Sequence, residues 1–288
     1  MCEALEGVPT GEHAVVKARL TERYAGVLDE AQIDRHIVDY IGLDTAAVQA
    51  AEVLARSGRG AQVLDIGSGF GTFVLVARQL GLDAIGVEPA RFELEFSRGR
   101  LSRLTGEDGG EIYREGDGRA LPFDGQSFDA VTLWNVLEHV ADTDRLLSEA
   151  VRVLKPGGRL FVLAPNYAAL RSEAHYHVPW LPLLPRSLAG RYLRALGRNP
   201  GFFESEVHYV TISGVRRRLR RLSLDVSSPA EFKIEHPESV QRPTLRQVIL
   251  FLRRVGLAGP LRVLVNLMDR NPLRRSIKIE AVKPPENR

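Results

Sequence analysis

The chain has 288 residues, of which 44% are hydrophobic and 26% charged, and its formal net charge is +3. That apolar content suffices for one large globular domain with additions and excludes a disordered or repetitive chain. A lone cysteine, Cys2, excludes an internal disulfide, a thiolate metal cage and dithiol redox chemistry.

No uninterrupted apolar run of about 18 residues occurs, and residues 1–10 lack a basic, apolar leader. The expectation is a cytoplasmic protein without a spanning helix. Basic residues concentrate in residues 186–221, where nine arginines face two glutamates. No recognised nucleic-acid module accompanies them, so no nucleic-acid partner is expected.

In chain order, apolar residues recur at helical spacing from Glu12 to Arg56, as in Val48, Ala51, Leu54 and Ala55, until Ser57, Gly58 and Gly60 stop the pattern. Residues 1–58 therefore read as a helical N-terminal extension. Strand-like and helix-like runs then alternate: strands over 62–66, 84–88, 112–115, 128–134 and 159–163, helices over 72–80, 91–104 and 144–154. Such alternation predicts a parallel, doubly wound α/β sheet with helices on both faces, ligands binding at the carboxyl ends of its strands.

The segment 59–166 thus forms a cofactor-binding core. Residues 167–210, rich in His, Tyr, Trp, Pro and Arg, read as a lid or acceptor insertion. Residues 211–288 complete the sheet, with a helix over 215–222, extended runs over 224–227 and 232–235, and a last strand over 276–282. Within them, 242–270 holds an amphipathic insertion whose strongly apolar part, 245–268, breaks at Gly259-Pro260. Burial in the core or a dimer interface is the favoured fate of its apolar face, with a membrane surface as the alternative.

The sharpest motif is Val63-Leu64-Asp65-Ile66-Gly67-Ser68-Gly69-Phe70-Gly71, a strand that ends on an acid and runs through alternate glycines into a helix. Glycines there permit a tight turn and close approach of a ligand, and free helix N–H groups attract carboxylate or phosphate. The loop alone leaves the ligand open, although its glycine spacing departs from G-x-G-x-x-G. Glu88 ends the second strand, where a carboxylate can accept from two ribose hydroxyls. Asp117 and Gly118 follow the third strand, where an acid can accept from an adenine amine. Trp134-Asn135-Val136-Leu137-Glu138-His139 follows the fourth, and Leu154-Lys155-Pro156-Gly157-Gly158 introduces the fifth.

In this order and spacing, residues 61–166 resemble the class I S-adenosylmethionine-dependent methyltransferases, particularly the group containing the quinone-biosynthesis O-methyltransferases. The resemblance implies a Rossmann-like, seven-stranded, mostly parallel sheet with an antiparallel seventh strand at 276–282. It implies that Asp65, Gly67 and Gly69 surround the methionine part of S-adenosylmethionine, and that Glu88 holds the ribose. Asp117 and the Gly118 backbone would recognise adenine, with Asn135 beside cofactor and acceptor. In the quinone enzymes a glutamate three residues before a Glu-His pair completes a divalent-metal site. Here Asn135 takes the glutamate's place while Glu138 and His139 are retained, which raises a Mg2+ site.

Methyl transfer from a sulfonium is a direct displacement that needs alignment and exclusion of water. A hydroxyl acceptor must also lose a proton, and His139 is the first candidate base. The insertion adds His175, Tyr176, His177, Trp180, His208 and Tyr209, of which His177 and Tyr209 are the acceptor-side candidates. The expected reaction is O-methylation of a small or medium acceptor, saccharide or glycolipid first and a quinone-like phenol next, with peripheral contact to a membrane if that acceptor is lipid-linked. The alternatives are a nicotinamide-dependent dehydrogenase and a non-catalytic, membrane-associated cofactor-binding module.

Overall fold

The structure, a computed structural model, describes residues 10–227, 229–240, 242–269, 271 and 274–285; Cys2 lies outside them. Three helices open it: α1 (Thr10–Arg23), α2 (Glu30–Ile41) and α3 (Leu43–Ser57). A capping box between Asp29 and Gln32 starts α2, and Gly42 and Gly58 receive the chain where α2 and α3 end. Over its described residues, 10–58, the extension read from the sequence is therefore helical, in three pieces.

The alternating region forms β1 (Gln62–Ile66), α4 (Thr72–Gln79), β2 (Asp83–Glu88), α5 (Arg91–Thr105), a short α6 (Gly109–Ile112), β3 (Tyr113–Glu115), β4 (Phe128–Trp134), α7 (Thr143–Val153) and β5 (Leu154–Pro165). The insertion contributes β6 (Arg171–Ser172), β7 (Pro179–Trp180), α8 (Arg186–Ala195) and α9 (Gly201–Glu206). Then follow α10 (Ile212–Arg221), β8 (Asp225–Ser227), α11 (Pro229–Glu235), α12 (Pro243–Arg254), α13 (Ala258–Asp269) and β9 (Ser276–Val282).

One seven-stranded sheet takes the order β3-β2-β1-β4-β5-β9-β8. Its first five strands are parallel, and β9 is antiparallel to both β5 and β8, as expected for 276–282. Continuous burial along β1 and β4, as in Val63, Leu64, Val131 and Leu133, marks strands covered on both faces. Val53 of α3 and Val74 of α4 pack on one face, whereas Leu146 and Leu147 of α7 and Leu219 of α10 pack on the other. Val16, Ile37, Tyr176 and Phe203 join this second cluster, so the N-terminal helices and the insertion share the core of the sheet.

Three expectations are corrected. Residues 232–235 belong to helix α11 and not to a strand: Phe232 stacks on His236 one turn later at 4.3 Å, and the Arg56 guanidinium lies 3.9 Å above the Phe232 ring. The amphipathic insertion breaks at left-handed Gly256 (φ 77°), after α12, while Gly259-Pro260 lies in the first turn of α13. Its apolar face is also not core. Ile249 is buried, but Val248, Phe251, Val263, Leu264, Leu267 and Met268 are exposed. β5 ends at Pro165 opposite Ser276, where β9 begins, and β8, running in the same direction as β5, ends at Ser227 opposite Glu280. The α11–α13 excursion therefore leaves from the carboxyl edge of the parallel strands. No helix among the described residues is long and apolar enough to cross a membrane.

Candidate active site

A cleft of about 630 Å3 opens at that carboxyl edge, lined by the ends of β1, β2 and β4, the N-terminal helices and the insertion. Its floor is the glycine loop. Gly67, Gly69 and Gly71 all have positive φ (70°, 52° and 75°), and the Gly67 and Ser68 N–H groups donate to Val87 O at 2.8 and 3.1 Å, fastening the loop to β2. A Cβ on Gly71 would lie 2.5 Å from Ser97 Cβ, whereas one on Gly69 would meet nothing within 4 Å. Packing therefore demands Gly71, and Gly69 leaves its side of the cleft open.

Two buried carboxylates flank the loop. Glu88 accepts the Gly69 N–H at 2.8 Å on Oε2 and the Ala90 N–H at 2.9 Å on Oε1. Burial raises its pKa against those two bonds, and each oxygen keeps a further lone pair. Asp65 accepts from Thr132 Oγ1 at 2.6 Å. Burial, reinforced by Glu88, pushes it up to about 7 despite that bond.

The adenine-side candidates also line the cleft. Asp117 is half-exposed and held by Arg119, with Nη2 2.6 Å from Oδ2, and this pairing lowers its pKa. A Cβ on Gly118 would come 2.6 Å from both Ile66 Cγ2 and Leu146 Cδ1, so only glycine brings the backbone this close. Asn135 is exposed at φ 56°, its N–H donating to Leu163 O at 2.7 Å.

A 3-10 turn, Leu137–His139, carries Glu138 and His139 into the same cleft. His139 Nδ1 donates to Glu206 O at 3.0 Å, and its Nε2 lies 3.3 Å from Nε2 of His175. His175 Nδ1 faces Glu173 Oε1 at 3.2 Å. Glu173, fully buried, accepts further bonds from the His175 and Tyr176 N–H groups and the Tyr167 hydroxyl. Burial opposes its ionisation, but His175 and these donors pull it down to about 2. His139 is driven down to about 3, chiefly by burial and then by His175, and is neutral near pH 7.

Not every acceptor-side expectation is met. Tyr209 lies outside the cleft lining: its hydroxyl donates to Leu184 O at 2.5 Å and its ring stacks on Tyr167. Packing inside the insertion has absorbed it. His177 is exposed and also outside the lining, reaching the cleft only through His36, with the two Nε2 atoms 2.9 Å apart. Nor is 167–210 a loose loop, since Tyr167, Tyr176, Trp180 and Phe203 are fully buried. Sequence reasoning missed Arg23, His36 and Tyr40, which reach the cleft from α1 and α2. The four-residue spacing of His36 and Tyr40, which puts both on one helix face, was the available signal. For Glu173 the signal was weaker, an acid two residues before His175.

The family model described as a methyltransferase domain matches residues 64–162. A demethylmenaquinone methyltransferase of Roseiflexus castenholzii is 32% identical over 178 residues, covering 60% of this chain and 73% of that protein. The chain belongs to the S-adenosylmethionine-dependent methyltransferase family. A ubiquinone biosynthesis O-methyltransferase of Chelativorans sp. is also 32% identical, over 159 residues and 53% of this chain, and the chain spans 58% of that relative's length. The crystal structure of an S-adenosylmethionine-dependent methyltransferase from Mesorhizobium loti shares the fold, with a TM-score of 0.51 at 21% identity over 84% of this chain and 100% of its own. Family membership removes the nicotinamide-dependent dehydrogenase alternative.

S-Adenosylmethionine fits this methyltransferase cleft. Ser68 Oγ and Trp134 Nε1 are buried polar atoms on its wall without protein partners, Gly69 opens toward it, and Glu88 retains acceptor capacity for hydroxyl donors.

Proposed function

We propose that the chain transfers the methyl group of S-adenosylmethionine to a hydroxyl of a small or medium acceptor, with a lipid-linked, quinone-like phenol ahead of a saccharide or glycolipid. The observation that carries this reading is Glu88, a buried carboxylate at the end of β2, bound to the glycine loop in the cleft that the Glu138–His139–His175 wall shares.

When bound, the cofactor supplies a sulfonium-activated methyl carbon. Glu88 orients the ribose by accepting its hydroxyls, Gly69 lets the ligand approach the backbone, and Asp65 gives the methionine ammonium a carboxylate partner. Asp117 and the Gly118 backbone sit where adenine would be read, and Asn135 lies between cofactor and acceptor. Ile66, Phe70 and Leu163 on the cleft lining help keep water from the reacting centre. On the acceptor side His139 Nδ1 already donates to Glu206 O and His175 Nδ1 points at Glu173. The Nε2 atom of either ring is therefore the one that meets a hydroxyl proton.

Two observations support a phenol with a lipid tail. Of the relatives above, one is named a ubiquinone biosynthesis O-methyltransferase and the other a demethylmenaquinone methyltransferase. The α12–α13 hairpin exposes Val248, Phe251, Leu264 and Met268 beside Arg246 and Arg254, within a stretch, residues 242–275, that holds eight arginines and one acid. Such a face suits an anionic lipid surface, and it leaves from the sheet edge on which the cleft opens. Incubation with labelled S-adenosylmethionine and a panel of isoprenoid quinols, tail-less catechols and saccharides tests the proposal. Label is expected on an oxygen of the tailed quinol. Label on saccharides alone overturns the acceptor assignment, and cofactor binding without transfer to any hydroxyl favours the non-catalytic module.

A further inference from the structure

The magnesium implied beside Glu138 and His139 does not match the donors that the fold assembles. Magnesium takes oxygen ligands and keeps much of its water, whereas imidazole nitrogens suit zinc and its transition-metal neighbours. The third side chain at this place is His175, from the insertion. One ligand atom from each of Glu138, His139 and His175 falls within 4.8 Å of the others, and all three residues line the cleft.

The tautomers are fixed from behind. A carbonyl oxygen only accepts, so His139 Nδ1, 3.0 Å from Glu206 O, carries the hydrogen. Glu173 accepts from the Tyr167 hydroxyl and two backbone N–H groups, so it is an acceptor toward His175 Nδ1 as well. In the neutral ring each Nε2 is then the atom that carries the lone pair, and the two Nε2 atoms face each other across 3.3 Å. Two zinc–nitrogen bonds of about 2.0–2.1 Å meeting at a tetrahedral angle span roughly 3.3 Å.

We infer that Glu138, His139 and His175 form a binding site for a divalent transition-metal ion, zinc being the best match, with Glu173 as the positioning residue behind His175. A carboxylate donating orientation to a ligating imidazole is the usual outer support of such sites. Three protein ligands leave a coordination position toward the cleft; with both Nε2 lone pairs taken by the ion, the ion and not an imidazole would meet a hydroxyl there and acidify it. The inference rests on side-chain geometry and not on the identity of the methyl acceptor.

The test is zinc titration of the full-length, chelator-dialysed protein by calorimetry, without cofactor or acceptor, followed by cobalt substitution and absorption spectroscopy. A single equivalent of zinc is expected, undisturbed by excess magnesium, with tetrahedral cobalt bands. His139→Ala and His175→Ala should abolish both, and Glu173→Gln should weaken zinc binding roughly 10–100-fold. Retained S-adenosylmethionine binding would show that these variants are folded. Absence of zinc binding in the unmodified protein, unchanged binding in His175→Ala, or tighter binding of magnesium than of zinc would each overturn the inference. Since no methyl transfer is measured, a wrong acceptor assignment leaves the result intact.

Discussion

Asp65, proposed to bind the cofactor, works against the fold that carries it. Its folded-state pKa, about 7, stands above the ordinary 3.8 because it is buried. The folded chain therefore holds this proton more tightly than the unfolded chain. The stability it contributes is complete below about pH 4 and is lost as pH rises through about 7, by on the order of 4 kcal/mol at most. Asp65→Asn should consequently raise the melting temperature of the cofactor-free protein at pH 8, change it little at pH 4, and weaken S-adenosylmethionine binding. An unchanged melting temperature at pH 8 would contradict this account of Asp65. Gly71 makes the opposite case, a residue needed for packing. In Gly71→Ala the added methyl meets Ser97 and Tyr113 at φ 75°, and a loss of about 1–3 kcal/mol is expected in urea unfolding.

At the scale of elements, the insertion and the terminal hairpin behave differently. Trp180 on β7 is fully buried against Tyr192 and Phe203, so Trp180→Ala should cost roughly 3–5 kcal/mol, readable in the same unfolding experiment. On α12, Val248→Asp with Phe251→Asp should abolish co-sedimentation with anionic vesicles and leave thermal stability unchanged, because both side chains are exposed. Vesicle binding that survives the double substitution would remove the hairpin from the membrane account. The strands and glycine loop were legible because a buried parallel strand reads as a continuous apolar run, and its turn needs glycine at fixed positions. The cleft-facing side of α1 and α2 was not, since Arg23, His36 and Tyr40 show helical spacing whether they face ligand, core or solvent. Residues 232–235 misled for a related reason. Alternation over four residues resembles a strand, and only the contacts of Phe232 with Arg56 and His236 reveal the helix.

For the whole molecule, sheet order and site location follow from one another. Five parallel strands with crossovers on both faces bring Asp65, Glu88 and Asn135 to a single edge, and antiparallel β9 closes the sheet beside β5. The cofactor half of the site could be read from sequence because its residues sit at strand ends, where topology fixes their position. The proposed acceptor half depends on His175 and Glu173, which lie more than thirty positions beyond His139 and meet it only through the packing of the insertion. The central claim is that this edge binds S-adenosylmethionine through Glu88. Calorimetric titration of the unmodified chain and of Glu88→Ala, each with S-adenosylmethionine and with NAD, tests it most directly. The account predicts S-adenosylmethionine binding that drops by about tenfold or more in Glu88→Ala, the loss of hydrogen bonds to a charged group, and no binding of NAD. Undiminished affinity in Glu88→Ala, or a preference for NAD, would contradict it.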